Sequence, residues 1–285
     1  MSTVVLRHRR RITGAEVARV AFLIIFTVVV VGVPFWILLV NSAKPLSEAN
    51  ELGFGLPRRW QIVENYSTVI REGKIATTTV NTLALALPAI VIIAFLSSAA
   101  GWVFGRRGSI GSAVAYALCI TGVLLPPIII TTVFVMQALH LYGGYVGAIL
   151  FYVGAFSAVA IFLITGFVRT IPTELEEAAR IDGAGPFRVY WSVVLPLLRP
   201  VIFTTSVFLF LTIWNDLLYQ FFLIGGHGKD TLSISLYNFV QVRQYETAWN
   251  LVFADVFIVS ALPLLAFFLA QRRILGGLTA GAINR

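Results

Sequence analysis

The segment Gly108–Val168 contains no Lys, Arg, Asp or Glu, and it limits the possible folds of this chain more than any other feature. It is too long for one membrane-spanning helix, which needs about 20 apolar residues, and long enough for two. Inside a bilayer every backbone N–H must be bonded within the protein, so such a segment folds as helices. A β-barrel is disfavoured because the apolar run is continuous and lacks a period-two alternation. An all-α integral membrane protein is therefore predicted.

The composition of the whole chain supports this class. Of its 285 residues 58% are hydrophobic and 12% charged, which is roughly half the charged fraction of a soluble domain. The net charge of +8 does not indicate nucleic acid, because the arginines cluster at the ends of apolar runs. The expected surroundings are the lipid bilayer. Cys119 is alone, so no internal disulfide is possible, and the three scattered histidines do not predict a metal site.

Six membrane-spanning helices are predicted, with the charge-free segment divided at the turn glycines and interfacial tyrosines of Tyr142–Tyr145. The six are Val17–Val40, Thr78–Gly105, Ser112–Leu139, Gly147–Val168, Val201–Ile224 and Asn250–Ala270. The first stays in the protein, because the basic stretch Arg7–Arg11 is followed by too long an apolar run, and no cleavage site, for a signal peptide. The predicted organisation is an N-terminal region of residues 1–77 with an ordered outer loop, a membrane core of residues 78–271 and a tail of residues 272–285.

The Lys and Arg residues predict the orientation. An even number of spans puts both termini on one side, and two thirds of the 21 Lys and Arg residues then fall on that side. By the positive-inside rule this side is the cytoplasm. The segment 169–199 is then the longest internal cytoplasmic stretch. All three lysines, Lys44, Lys74 and Lys229, fall on the outer side, which the rule does not explain.

Small residues and prolines interrupt the predicted spans. Gly101 and Gly105 are four residues apart, a spacing that permits close helix packing. Each span proline frees a backbone carbonyl and can kink its helix. The prolines are either hinges of a moving gate or ordinary features of membrane helices; they are Pro34, Pro88, Pro126, Pro127 and Pro263.

The cytoplasmic segment 169–199 predicts a short helix that lies along the membrane. Thr173 and Glu176 have the spacing of a capping box, Glu176 and Arg180 are an i, i+4 pair, and Gly183 is a natural helix stop. Leu195-Pro196 is predicted to turn the chain back toward the bilayer.

Two interpretations of this short helix are open. It can dock on another protein, because Ala178 and Ala179 have small side chains and Glu177 offers a carboxylate to a cation. Alternatively, it is an amphipathic helix that rests on lipid headgroups, although an acidic first turn fits anionic lipid poorly.

The same residues stand in the register of a family signature. Glu177-Ala178-Ala179, Gly183, Val193 and Leu195-Pro196 match the spacing typical of ATP-binding-cassette (ABC) importer permeases, with Val193 in place of the commoner Ile. The chain therefore resembles these permeases. The resemblance implies a type I ABC importer permease fold, in which the loop 169–199 carries the coupling helix that sits in a cleft of the ATPase. It assigns ATPase coupling to Glu177, Ala178, Ala179, Gly183, Leu195 and Pro196.

Further residues resemble the carbohydrate importers of the maltose type, in particular the smaller, MalG-like permease. They are Pro172–Ala179, Ile181–Ala184, Trp214–Asp216 and Gly277–Ala282. This resemblance implies an inner-membrane subunit that works with a second, MalF-like permease, two ATP-binding subunits and an extracytoplasmic solute-binding protein. A permease of the same superfamily for a polyamine, amino acid or peptide is the alternative.

The chain has no ATPase motif of its own. Lys74 and Lys229 each follow a glycine, but neither is followed by Ser or Thr or preceded by the glycine that a phosphate-binding loop requires. No catalytic residue and no cofactor are therefore predicted on this chain, and ATP and Mg²⁺ belong to the partner. An ion-coupled secondary transporter is a weaker alternative, because only Asp216 and Asp255 are available for a relay within the spans.

The outer half of the chain carries two further predictions. A carboxylate at the membrane centre costs about 2.5–3.5 kcal/mol, so Asp216 should face protein or a water-filled cavity. The predicted solute path is lined by four residues: Trp214, Asn215, Asp216 and Tyr219. The alternative for Asp216 is a structural hydrogen bond.

Asp255 is expected to be interfacial or a cap. The resemblance implies that the loop with Gly226, His227 and Gly228 contacts the binding protein; alternatively, it is an ordinary connector.

Overall fold

The computed structural model of the protein describes residues 14–125, 127–245 and 248–280, and every regular element within those ranges is a helix. This confirms the all-α class. The basic stretch Arg7–Arg11, Pro126 and the last residues of the predicted tail, 281–285, lie outside the described residues.

Fourteen helices follow one another along the described chain. They are α1 Gly14–Thr27, α2 Val33–Ser42, α3 Leu46–Ala49, α4 Ile62–Glu72, α5 Ile75–Arg106, α6 Ile110–Leu124, α7 Ile129–Ala138, α8 Tyr145–Val168, α9 Glu174–Ile181, α10 Pro186–Val189, α11 Leu195–Asn215, α12 Leu218–Ile224, α13 Leu232–Tyr245 and α14 Trp249–Ala280. Turns of π-helix at Val28–Gly32 and Tyr190–Val194 join α1 to α2 and α10 to α11.

Among the described residues, four helical runs are long and apolar enough to cross a membrane: Gly14–Ser42, Ile75–Arg106, Tyr145–Val168 and Pro186–Asn215. They correspond to the predicted spans one, two and four and to most of span five. The predicted span six lies in α14, which begins at Trp249 and continues to Ala280, past the predicted start of the tail, and α14 is not among these four runs. Six spans therefore stay a prediction.

The predicted span three is not one straight helix. Helices α6 and α7 meet at an angle of 114°. The residue before a proline is disfavoured in the helical region, and Leu125, which precedes Pro126, is extended (φ −104°, ψ 103°). A proline also lacks the N–H that would continue the helix, so the Pro-Pro pair explains the break.

The predicted span five is interrupted as well, between Asn215 and Leu218. Side chains satisfy the carbonyls that the break frees: Gln220 Nε2 donates to the Ile213 oxygen (2.5 Å) and Ser233 Oγ donates to the Trp214 oxygen (2.6 Å). At membrane depth a broken helix is tolerated only where protein buries it or where it lines a cavity.

Two prolines are accommodated without a break. In both π-helical turns the residue just before a proline donates its N–H five residues back, Val33 to Val28 and Leu195 to Tyr190. The wider turn makes room for the proline that follows. The predicted turn at Leu195-Pro196 is therefore wrong, because the helical run Pro186–Asn215 passes through it.

Two compact units make up the chain, Met1–Thr68 with Arg243–Phe257, and Val69–Val242 with Ile258–Arg285. Within the first unit, Lys44 is 4% exposed, and its ammonium donates to Asn41 Oδ1 (3.0 Å) and to the Gly53 oxygen (2.8 Å). The Asn65 amide donates to the carbonyls of Ser42 and Lys44, both at 2.9 Å. These bonds order the segment that follows α2 and give Lys44 a structural role; its position on the outer side stays a prediction.

The core of the second unit lies among α5, α8 and α11, with Leu85, Tyr152 and Leu209 fully buried. Helices α5 and α8 make its closest contact. A Cβ at Gly105 would lie 2.5 Å from Val168 Cγ1, and one at Gly101 would lie 2.8 Å from a methyl of Ile164. The predicted close packing at these two glycines is confirmed.

Candidate functional site

Helix α9 is the centre of the candidate coupling loop, and its end is built as predicted. Gly183 has φ +82°, a conformation that glycine adopts without strain. The N–H of Gly183 donates to the Arg180 carbonyl (3.0 Å), and the N–H of Ala184 donates to the Ala179 carbonyl (2.9 Å). These two bonds form a Schellman motif, which stops the helix and satisfies its last carbonyls.

The beginning of α9 differs from the prediction. Thr173 is the N-cap, but its side chain makes no capping hydrogen bond. The predicted capping box is therefore wrong, because the Glu176 carboxylate turns inward and is only 4% exposed. Trp102 Nε1 donates to its Oε2 (3.0 Å) and Arg106 Nε donates to its Oε1 (2.7 Å).

Two further contacts complete the arrangement around Glu176. The predicted i, i+4 pair is present, with Arg180 Nη2 at 3.5 Å from Oε2, and Arg180 is 56% exposed. Arg106 Nη2 also donates to the Ile171 carbonyl (2.9 Å), so one guanidinium holds the loop at two points. A cleft of about 440 Å³ lies beside this cluster. It is lined by Trp102, Arg106, Arg107, Thr173, Glu177, Arg180 and Pro186.

Other side chains of α9 are open to solvent among the described residues. Glu177 and Ala178 are exposed, and Ala179 is half-buried. Two large apolar side chains near them are almost fully exposed, Ile181 at 86% and Phe187 at 83%. A surface with exposed apolar side chains and an acidic group is the composition expected of a protein-binding surface.

The second arm of the loop packs against the bundle. Four residues of this arm form an apolar cluster with residues of α8: Val189, Tyr190, Val194 and Leu198. Leu195 packs on the edge of this cluster. The Tyr190 and Ser98 hydroxyls share a hydrogen bond (2.7 Å). Leu195 and Pro196 are half-buried in this arm, so the structure separates them from the exposed surface of α9.

Asp216 lies at the break between α11 and α12 and is half-buried. The Tyr152 hydroxyl donates to its Oδ2 (2.5 Å), and the N–H of Tyr219 donates to its Oδ1 (3.1 Å). The second bond satisfies one of the free backbone N–H groups in the first turn of α12. Tyr219 in turn donates its hydroxyl hydrogen to the Pro127 carbonyl (3.0 Å), so the two helix breaks meet here.

The other predicted path residues are placed differently. Trp214 is only 2% exposed, and its Nε1 donates to the Val259 carbonyl (3.3 Å). Asn215 is exposed and its amide donates to Leu211 of its own helix (2.8 Å). Asn215, Asp216 and Tyr219 thus lie together at the break, whereas Trp214 belongs to the core.

Asp255 is not a helix cap, because it lies in the second turn of α14; an interfacial position stays a prediction. It lies in α14, is 1% exposed, and neither carboxylate oxygen has a hydrogen-bond partner among the described residues.

The predicted binding-protein loop is fixed at its beginning. His227 packs edge-on against Tyr142 (5.1 Å between ring centroids). Lys229 donates to the Gly143 carbonyl (2.9 Å) and lies over the Tyr145 ring (5.6 Å). Lys229 thus ties this loop to the segment between α7 and α8. Gly226 and Gly228 have positive φ, +74° and +71°, and both are exposed with His227.

Sequence reasoning missed Trp102, Arg106 and Tyr152. A signal for the first two was present, because Trp102 and Arg106 stand one helical turn apart at the charged end of an otherwise apolar helix.

Several membrane-length helices together with a structured polar loop define the class of protein, a multi-pass membrane protein. The sequence model of the family described as "Binding-protein-dependent transport system inner membrane component" matches residues 71–274. The chain belongs to this family, and it is an inner-membrane component of a transport system.

Relatives of known name extend over nearly the whole chain. The probable starch degradation products transport system permease protein AmyC of Thermoanaerobacterium thermosulfurigenes is 33% identical, over 88% of this chain and 91% of the relative. The diacetylchitobiose uptake system permease protein NgcG of Streptomyces coelicolor is 28% identical, over 93% and 87%. The melibiose/raffinose/stachyose import permease protein MelC of Bacillus subtilis is 28% identical, over 88% and 91%.

The fold has a counterpart among solved structures. A chain in the crystal structure of a bacterial ABC transporter involved in the import of the acidic polysaccharide alginate superimposes with a TM-score of 0.78, at 18% identity, over 92% of this chain and 98% of that chain. The predicted ABC importer permease fold is thereby confirmed.

Proposed function

We propose that this chain is one of two permease subunits of an ATP-driven, binding-protein-dependent sugar importer. Its six spans form the solute path together with the second permease, and both termini are cytoplasmic. Two ATP-binding subunits hold ATP and Mg²⁺, and an extracytoplasmic binding protein delivers the solute. No covalent chemistry takes place on this chain; the spans alternate between outward and inward access.

The two unlike sides of α9 carry this proposal. One side is fixed to the bundle through Glu176, and the other exposes Glu177, Ala178 and Ile181 to water. Small side chains permit a partner to approach closely, and the Glu177 carboxylate suits a cation on it. A helix that is bonded to the bundle on one side transmits a movement of its partner better than a flexible helix does.

A sugar is the proposed solute because the names of three relatives refer to starch degradation products, diacetylchitobiose and melibiose. The break at Asp216 offers what a sugar ring binds: a carboxylate, the Asn215 amide and the Tyr219 ring close together. Trp214 lies in the core and joins the path only in another conformation. The exposed outer loop with Gly226, His227 and Gly228 is the proposed contact with the binding protein.

The coupling role is tested by purifying the affinity-tagged chain from its native membranes and identifying the proteins that accompany it. Wild type should retain an ATP-binding subunit, and Glu177→Lys should lose it. Glu174→Lys is the matched control, since Glu174 is an exposed acid in the same first turn. Unchanged retention of the ATP-binding subunit in Glu177→Lys would contradict the proposal.

The solute is tested in vesicles with radiolabelled maltotriose, melibiose, putrescine and leucine. Uptake of a sugar that stops when ATP is depleted supports the proposal. Uptake of putrescine or leucine alone favours a permease of the same family for another solute. Uptake that continues without ATP favours an ion-coupled transporter.

A further inference from the structure

We infer that Glu176 is the positioning residue through which movement of α9 reaches α5, and that α5 carries this movement to the outer loop at Asp230–Leu232. The inference rests on the proposed function, in which an ATP-binding subunit acts on α9. It separates two adjacent acids: Glu177 faces the partner, and Glu176 faces the bundle.

The contacts of Glu176 bond the loop 169–199 to the cytoplasmic end of α5. Both carboxylate oxygens are occupied, one by Arg106 and one by Trp102. The ion pair is largely shielded from solvent, with side-chain exposures of 15% for Arg106 and 4% for Glu176. Charge-assisted bonds in such surroundings are short and directional, so α9 cannot shift without α5 unless both bonds break.

The same face of α5 also holds the other arm of the loop. Ser98, Trp102 and Arg106 are spaced four residues apart and therefore follow one face of the helix. Ser98 is bonded to the Tyr190 hydroxyl (2.7 Å), and the Trp102 ring packs on that of Tyr190 (5.6 Å). Both arms of the coupling loop are thus attached to α5.

The outer end of α5 is attached to the proposed binding-protein loop. Asn81 Nδ2 donates to the Asp230 carbonyl (2.9 Å), and Thr82 Oγ1 accepts from the N–H of Leu232 (2.9 Å). The 32 residues of α5 form one helix that Pro88 does not interrupt, about 48 Å long at 1.5 Å per residue. One continuous helix therefore carries specific bonds to the cytoplasmic loop at one end and to the outer loop at the other.

The experiment uses the whole transporter with its ATP-binding subunits in a Cys119→Ser background, with a spin label on His227→Cys in the outer loop. Addition of ATP and vanadate should change the mobility of the label. Glu176→Gln should retain the ATP-binding subunits and basal hydrolysis, but the fraction of molecules whose label responds should fall about fivefold or more. Glu174→Gln, an exposed acid of the same helix, should respond as the parent does.

A double variant separates transmission from stability. Glu176→Gln alone leaves the Arg106 charge buried without its partner, and Glu176→Gln with Arg106→Gln removes both charges. The double variant should recover thermal stability while the label response stays low. A normal response in Glu176→Gln, or in the double variant, would overturn the inference.

Glu177→Lys, measured alongside, shows which idea has failed. If Glu177→Lys keeps its ATP-binding subunits, the proposed function is wrong. If it loses them while Glu176→Gln responds normally, the proposed function stands and only the role of Glu176 is wrong.

Discussion

Glu176 and Asp216 are two carboxylates in a largely apolar chain, and their surroundings differ in kind. Glu176 is buried and has two guanidinium groups and an indole N–H as partners. Asp216 is half-buried and has a tyrosine hydroxyl and the backbone N–H groups of Tyr219 and Leu218 as partners, and no described Lys or Arg pairs with it. The first is fully compensated within the chain, whereas the second keeps capacity for a further donor.

The largest expected effect is that of Glu176→Ala. It leaves the half-buried Arg106 without its counter-charge, and removing one member of a buried ion pair costs about 3–5 kcal/mol. The free energy of unfolding, measured by SDS titration of the detergent-solubilised protein, should fall by that amount. Glu177→Ala, its exposed neighbour, should change it little. Equal effects of the two substitutions would mean that the contrast between the two sides of α9 is wrong.

Asp216→Ala is expected to have an intermediate effect. It removes the acceptor of a backbone N–H in the first turn of α12, worth about 1 kcal/mol, and deprives the Tyr152 hydroxyl of its acceptor, which costs about 1–3 kcal/mol. The thermal midpoint should decrease, and less so for Asp216→Asn, which keeps an acceptor oxygen. If Asp216 also contacts the solute, Asp216→Asn should reduce uptake more than its small loss of stability accounts for.

Gly105→Ala tests the packing that holds α5 beside the loop. Its Cβ would lie 2.5 Å from Val168 Cγ1, and overpacking of this kind costs about 1–3 kcal/mol. Gly166→Ala is the matched control, because Gly166 is a helical glycine with no atom within 4 Å of its Cβ position. Susceptibility to proteolysis at the loop 169–199 should rise in Gly105→Ala and not in Gly166→Ala.

The sequence predicts well what depends on local pattern. The second and fourth spans agree with α5 and α8 within three residues at each end, because apolar length alone defines them. The helix stop at Gly183 and the packing at Gly105 follow from the chemistry of glycine. Each of these features needs only neighbouring residues.

What the sequence does not predict depends on distant partners. Thr173 and Glu176 have the spacing of a capping box, but Trp102 and Arg106, more than 60 residues away, bind the carboxylate instead. The break at Asp216 likewise depends on Ser233 from α13 and on Tyr152 from α8. A stronger tertiary partner overrides a local motif in both places.

The smallest expected effect is that of Arg180→Ala, and it is the most exacting test of the comparison. Arg180 contacts the same Glu176 carboxylate as Arg106 does, but at 3.5 Å and with 56% of its side chain exposed. An exposed ion pair contributes about 0–1 kcal/mol and is screened by salt. The thermal midpoint of Arg180→Ala should therefore stay near that of wild type and depend little on ionic strength, whereas Arg106→Ala should be strongly destabilised at every salt concentration. Because both substitutions remove one guanidinium from one carboxylate, a similar loss for both would show that burial does not distinguish the two contacts.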